Sequence, residues 1–358
     1  MELENRIANL RVGTGKFLYG HGAVHSLSSE ILMLGGRPFF IGGPTTLPLL
    51  MNNCRNELLE RGIDPVCCTL DGACTRNRAH VYAEAAKENG CTVIVGVGGG
   101  KCMDQAKAVA TVGEMNIITV PTSIATCAAV ASVCIMYHDD GTPDGSLQMN
   151  KTPDVVIADT DLIATAPKRT LAAGIFDSIA KLPEVLHNRT VNSYKDCSLE
   201  KYICVINSQV IYDVLMGEGR KVYDLGLESG RFTDVILTNL LHTAVVSGFS
   251  CGVDQLALAH GLYDFMRRSF TQEAEGILHG EIVAVGILMQ LKFNQMNPHY
   301  INEVRELMQH MKIPTKLSEI GFTTNESNIR LLLDYLIPAT ALTAADEPRL
   351  REAITEIC

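Results

Sequence analysis

The sequence lacks an excess of positive charge: 30 Lys and Arg stand against 40 Asp and Glu, a formal net charge of −10 over 358 residues. Proteins that gain affinity by neutralising nucleic-acid phosphates or anionic lipid carry the opposite sign, so neither nucleic acid nor a membrane surface is an expected partner. The chain also lacks a basic segment leading into an apolar one at its start, which reads MELENRIANL. No secretory signal is therefore expected, and a reducing, cytoplasmic setting follows as an expectation. The longest weakly polar run, Ile124 to Tyr137, is Ala-rich and stops at His138-Asp139-Asp140. It is shorter than the roughly 20 residues that span a bilayer. No CxxC pair occurs among the 12 cysteines, and the adjacent Cys67 and Cys68 would point to opposite faces of an extended chain. A zinc finger is thus unsupported, and most cysteines read as small buried hydrophobes. Internal repeats and low-complexity tracts are missing too, which removes solenoids and propellers.

What is present is the composition of a folded chain, 47% hydrophobic and 20% charged. The length is about twice a typical domain of roughly 150 residues, so two domains, or one α/β unit with a helical extension, are expected. The first half alternates short apolar runs with helical stretches. The runs are Pro38 to Ile41, Pro65 to Leu70, Thr92 to Val97, Ile117 to Val120 and Val155 to Ala158; helices are expected at Asn77 to Asn89 and Met103 to Val112. Continuous apolar strands separated by helices predict a parallel sheet covered on both faces. After Pro167 the period becomes helical, over Arg169 to Leu186, Leu199 to Met216 and Asp234 to Arg267. The expected fold class is α/β, a Rossmann-like parallel-sheet domain over 1–162 followed by an all-helical domain over 163–358.

The strand Thr92 to Val97 runs into Gly98-Gly99-Gly100-Lys101 and then a helix. Glycines there let backbone approach a diphosphate, and a helix N-terminus offers free N–H donors. The spacing matches neither the six-residue dinucleotide fingerprint nor the P-loop, so on its own the segment reads equally well as a tight turn without a ligand.

Four segments in collinear order settle more. Gly98-Gly99-Gly100-Lys101 with Asp104 and Lys107, then Val120-Pro121-Thr122, then Leu171 to Lys181 (LAAGIFDSIAK), then Ala259-His260-Gly261 and Leu278-His279-Gly280-Glu281 resemble the iron-containing (group III) alcohol dehydrogenases. The likeness leans toward the glycerol dehydrogenase and hydroxycarboxylate dehydrogenase branches. It implies an NAD- or NADP-binding α/β domain, a helical domain, and a divalent metal, zinc or iron, in the cleft between them. Carried over residue by residue, the metal ligands are Asp177, His260 and His279. The cofactor contacts are Gly98, Gly99, Gly100, Lys101, Asp104, Thr122, Val133 and Tyr137. One carboxylate and two imidazoles leave coordination positions open, as a catalytic metal requires. The implied activity is hydride transfer between nicotinamide and a small hydroxylated substrate, and family members commonly form homo-oligomers.

Three departures bear on substrate and cofactor. In the segment Pro121 to Cys127, Cys127 stands where glycerol dehydrogenases carry an aspartate that contacts the polyol. A thiol does not accept hydrogen bonds from vicinal hydroxyls as a carboxylate does, and losing a negative charge makes the pocket less hostile to a substrate carboxylate. A 2-hydroxy acid/2-oxo acid pair or a simple alcohol is then expected, with glycerol to dihydroxyacetone as the alternative. Gly42-Gly43 replace the carboxylate that would accept from a ribose 2′-hydroxyl, and no Lys or Arg adjoins them, so the nucleotide choice stays open. Tyr263 stands where many relatives carry a further histidine, and Ala125 lacks a hydroxyl found at its family position. Lyases related to dehydroquinate synthase have a similar plan but a glutamate at the position of Asp177. A non-catalytic relative would be expected to have lost a ligand or the glycine turn, and none is lost.

Overall fold

The structure is a computed structural model that describes residues 9–250 and 256–358. Residues 251–255, with Cys251 and part of the stretch expected to run helically from Asp234 to Arg267, lie outside the described residues, as does most of the leading segment considered for a signal.

Six strands form the sheet: β1 (Lys16–Gly20), β2 (Pro38–Gly42), β3 (Val66–Thr69), β4 (Val93–Gly98), β5 (Asn116–Pro121) and, after a hairpin of β6 (Val133–Tyr137) and β7 (Pro143–Gln148), β8 (Val155–Asp159). Their order is β1-β8-β5-β4-β2-β3, and every pairing is parallel. The five strands read from apolar runs are present. The sixth, β1, is a half-exposed edge strand; β6 is the apolar end of the weakly polar run, whereas its antiparallel partner β7 carries Pro143, Gly145 and polar side chains. Alternation along β2 and β4 divides the packing. Phe40, Val93, Val95 and Val97 join a core with Leu27, Ile31 and Leu50, whereas Phe39, Ile41 and Ile94 pack on Ala79, Ala83 and Ala106 of the other layer.

The chain moves outward from β2 to β3, then returns to place β4 on the other side of β2. The carboxyl ends of β2 and β4, with Gly42-Gly43 and Gly98-Gly99-Gly100, therefore flank the topological switch point, where open α/β sheets leave a crevice.

From Thr160 onward the described residues contain helices and no strand. The expected helix from Asp234 to Arg267 is divided into Phe232–Leu237, a π-helical turn Thr238–His242, Thr243–Phe249 and, past an extended Ala257, Leu258–Ser269. Phe232–Phe249 is apolar enough to cross a membrane by composition, with mean hydropathy 1.2, but Val235, Ile236, Leu240 and Ala244 are buried in the helical core.

The centre of that core is His279–Phe293, apolar on all sides and buried along almost its whole length. Two glycines set its approach to its neighbours. A Cβ on Gly280 would overlap the Ala173 carbonyl of the helix Lys168–Ile179, and one on Gly286 would come within 2.6 Å of Ala259 Cα in Leu258–Ser269. The three helices that carry Asp177, His260 and His279 thus meet backbone to backbone.

The hairpin is tied to the sheet domain by a buried ion pair. On the helix Gly100–Gly113, Asp104 Oδ1 lies 3.0 Å from Lys107 Nζ, and that ammonium also donates to the Ala131 and Val133 carbonyls at 2.8 and 2.5 Å. Burial raises the Asp104 pKa above its ordinary value despite the lysine, which marks how costly this carboxylate is to bury.

Two stability measurements follow. Gly280→Ala should lower the unfolding free energy by about 1–3 kcal/mol, the usual cost of overpacking, and an unchanged urea midpoint would show that the helices separate without penalty. Lys107→Met should cost about 3–5 kcal/mol by leaving Asp104 uncompensated, and adding Asp104→Leu should recover most of that loss. Additive losses in the double variant would contradict the pairing.

Candidate metal centre

Asp177 lies in the last turns of the helix Lys168–Ile179, His260 in the first turn of Leu258–Ser269, and His279 is the first residue of His279–Phe293. Asp177 Oδ1 is 3.0 Å from His279 Nε2 and 3.2 Å from His260 Nε2, and the three ligand atoms lie within 4.8 Å of one another. Ligands about 2.1 Å from a tetrahedral metal stand about 3.4 Å apart, so this spacing suits one face of a coordination polyhedron. The donor set fits a divalent cation, and no other His, Cys, Asp or Glu among the described residues joins it.

Two further groups orient the ligands, and neither was singled out from sequence. Glu184 Oε1 accepts from the His260 backbone N–H at 2.8 Å, while its Oε2 is 2.6 Å from His260 Nδ1. A carboxylate on Nδ1–H leaves Nε2, beside Asp177, as the ring atom that would bind a metal. Glu281 accepts from Arg169 at 2.5 and 2.6 Å and from the Leu278 N–H at 2.8 Å, so it closes the first turn of the His279 helix and pins it to the Asp177 helix.

Burial raises the pKa of the Asp177 carboxyl, but the charge of His279 and hydrogen bonds from both imidazoles outweigh it and hold the group well below the usual carboxylate range. Burial lowers the pKa of His260, while Glu184 and Asp177 push it up to about 9. Asp177 and Glu184 thus draw His260 toward the charged state, a role that a bound cation would take over among the three ligands.

Around this cluster the other expected residues fall as follows. Cys127 is half-buried, and burial and the charge of Asp177 push its thiol up to about 11, so it is neutral. Tyr263 packs edge-on against His279, ring centroids 4.1 Å apart, and its hydroxyl lies 3.2 Å from that of Tyr137 on β6. Burial and the neighbouring Tyr263 raise the Tyr137 pKa far above the ordinary phenol range. Gly98 has φ +140°, a conformation L side chains rarely adopt, and its carbonyl accepts from the Thr122 N–H at 2.9 Å. A Cβ on Gly99 would come within 3.2 Å of Ser123 Oγ, and one on Gly100 equally close to Thr126 Oγ1. The glycine turn is thus packed against Ser123 and Thr126 of the loop that carries Thr122 and Cys127, while Lys101 is exposed. Asp104 faces Lys107 and the hairpin, and Val133 lines a cleft cavity of about 410 Å³ whose other walls include Arg11, Gly248, His260 and Arg268.

The chain has relatives among known proteins. The family described as iron-containing alcohol dehydrogenase matches residues 14–160. Glycerol dehydrogenase of Pseudomonas putida is 27% identical over 310 residues, 86% of this chain and 84% of that protein. Hydroxycarboxylate dehydrogenase A of Escherichia coli K12 is 27% identical over 237 residues, 65% of this chain and 64% of that protein. The crystal structure of a probable glycerol dehydrogenase from Sinorhizobium meliloti superimposes with a TM-score of 0.79 at 25% identity, covering 98% of each chain. The family match thus lies on the sheet domain, residues 14–160, and the likeness to glycerol dehydrogenases runs across both halves of the chain.

Proposed function

We propose that this protein is a metal-dependent, NAD(P)-linked oxidoreductase that interconverts a small hydroxylated substrate and its carbonyl, with 2-hydroxy acids and 2-oxo acids as the favoured pair. The observation that carries the reading is the convergence of Asp177, His260 and His279 within 4.8 Å of one another. When bound, a divalent cation polarises the substrate oxygen and the nicotinamide exchanges the hydride.

The chain's own residues do the positioning. Asp177, His260 and His279 hold the cation, and Glu184 keeps His260 in the coordinating tautomer. Tyr263 restrains the His279 ring and, through Tyr137, reaches the hairpin that borders the nicotinamide side. Backbone N–H groups of Gly98 to Lys101 at the helix start receive the diphosphate. Gly42-Gly43 neither accept from a ribose 2′-hydroxyl nor bind a 2′-phosphate, so both nucleotides are admitted.

A neutral Cys127 favours the acid pair over glycerol, because it supplies no carboxylate to grip vicinal hydroxyls and no charge to repel a substrate carboxylate. Glycerol oxidation is the second reading, supported by the named activity of the Pseudomonas putida relative. The assignment extends to a homo-oligomer in a cytoplasmic setting, as the likeness to the family implies.

Metal analysis combined with NADH and NADPH oxidation against 2-oxo acids, simple aldehydes and dihydroxyacetone tests the reading. Turnover of 2-oxo acids without dihydroxyacetone is expected, whereas preference for dihydroxyacetone would make this a glycerol dehydrogenase; Cys127→Asp should move the profile toward vicinal diols. His279→Ala should abolish metal occupancy and turnover together. Glu184→Gln should weaken metal binding by about 10- to 100-fold in a competitive chelator titration; full stoichiometric metal in either variant under that competition would refute the ligand set.

A further inference from the structure

Lys181 has no task in the scheme above, yet it lies inside the same cluster. It follows Asp177 by four residues and precedes Glu184 by three across the consecutive helical segments Lys168–Ile179 and Lys181–Val185, a spacing that puts all three on one face. The residue is only 9% exposed. Among the described residues it makes no hydrogen bond and no ion pair, and its ammonium is not among the sealed, partnerless polar atoms, which belong to Ser132, Ser208 and Asn239. The ammonium therefore fronts accessible space while its stem is enclosed. Burial pushes its pKa down, but the charges of Asp177 and Glu184 push it up, and the net direction is up.

A buried ammonium without a hydrogen-bonding partner is costly, and packing of the stem does not call for a charge. The local balance of charge says what would relieve it. Asp177, Glu184 and Lys181 together carry one negative charge, the neutral Cys127 adds none, and a divalent cation on the three ligands turns the balance to one positive. A site with that balance is completed by a monoanion. A carboxylate at position 127 would have cancelled it.

We propose that Lys181 is a specificity-determining residue that binds the carboxylate of a 2-oxo acid or 2-hydroxy acid substrate. In such molecules the carboxylate is one bond from the reacting carbon, so an oxygen on the cation side and a carboxylate on the lysine side belong to one small ligand. The diphosphate of the nucleotide is assigned elsewhere, to the glycine turn, which leaves the substrate as the anion for this ammonium. The proposal rests on the functional reading above.

The test is equilibrium binding of oxamate, an unreactive carboxylate of pyruvate size, to the zinc- and NADH-loaded protein, followed by calorimetry. Lys181→Met should bind oxamate at least tenfold more weakly than the wild type at equal zinc content, as loss of a charge-assisted hydrogen bond implies. Lys181→Arg should restore part of the affinity, and Lys181→Gln, which keeps length and polarity, guards against misfolding of the Met variant. In steady-state kinetics the ratio of kcat/KM for pyruvate to that for propanal should fall at least tenfold, with the loss in the KM for pyruvate. Equal losses on pyruvate and propanal, unchanged oxamate affinity, or no oxamate binding by the wild type would each overturn the proposal. A wild type that binds oxamate through Lys181 but turns over no carbonyl compound would instead sink the functional reading and leave the carboxylate site standing.

Discussion

A carboxylate taken out of water must be met by positive charge or by donors, and Asp177 is met by both. Its Oδ1 receives His260 and His279 at 3.2 and 3.0 Å from two other helices, and those helices reach it because glycines let their backbones touch. The helical half is arranged around that requirement. Gly280 admits the Ala173 carbonyl, Gly286 admits Ala259, and Arg169 with Glu281 fixes the turn that presents His279. The apolar helix His279–Phe293 pays for the burial of these polar groups through the hydrophobic surface it removes from water on all sides.

The sheet half forms its crevice by topology alone. Reversal of winding between β2 and β4 opens a crevice at their carboxyl ends, and the only residues that fit its lip are small. Gly42 would collide with Leu47 and Val97 if it carried a side chain, and Gly98 adopts a backbone angle that disfavours one. The loop that follows β5 packs on the glycine turn through Ser123 and Thr126 and on the helix Lys168–Ile179 through the Ile124 carbonyl at Gly174, so one short stretch of chain touches both halves.

Much of this was legible in the sequence because two patterns are strong. Buried parallel strands show as uninterrupted apolar runs, which is why β2, β4, β5 and β8 were readable while the exposed edge β1 and the polar β7 were not. Asp177, His260 and His279 came from motif likeness, since their chain separations of 83 and 102 residues carry no periodic signal. Glu184 and Lys181 illustrate the opposite limit. Their spacing from Asp177 was in plain view, but charged residues on one helical face usually mean solvent, and only packing reveals that this face looks inward. Asp104 was read toward the nucleotide, whereas its place against Lys107 depends on a hairpin that the apolar pattern did not disclose.

The contact between Tyr137 and Tyr263 joins the hairpin of the sheet half to the helix that carries His260. One neutral hydrogen bond is worth about 1 kcal/mol, which favours a joined over a parted pair by only about fivefold at room temperature. The hold at this point is accordingly slight, and the two halves are kept together instead by the core they share, where Met103, Ile124, Val130 and Val156 are buried with Phe176 and Ile179.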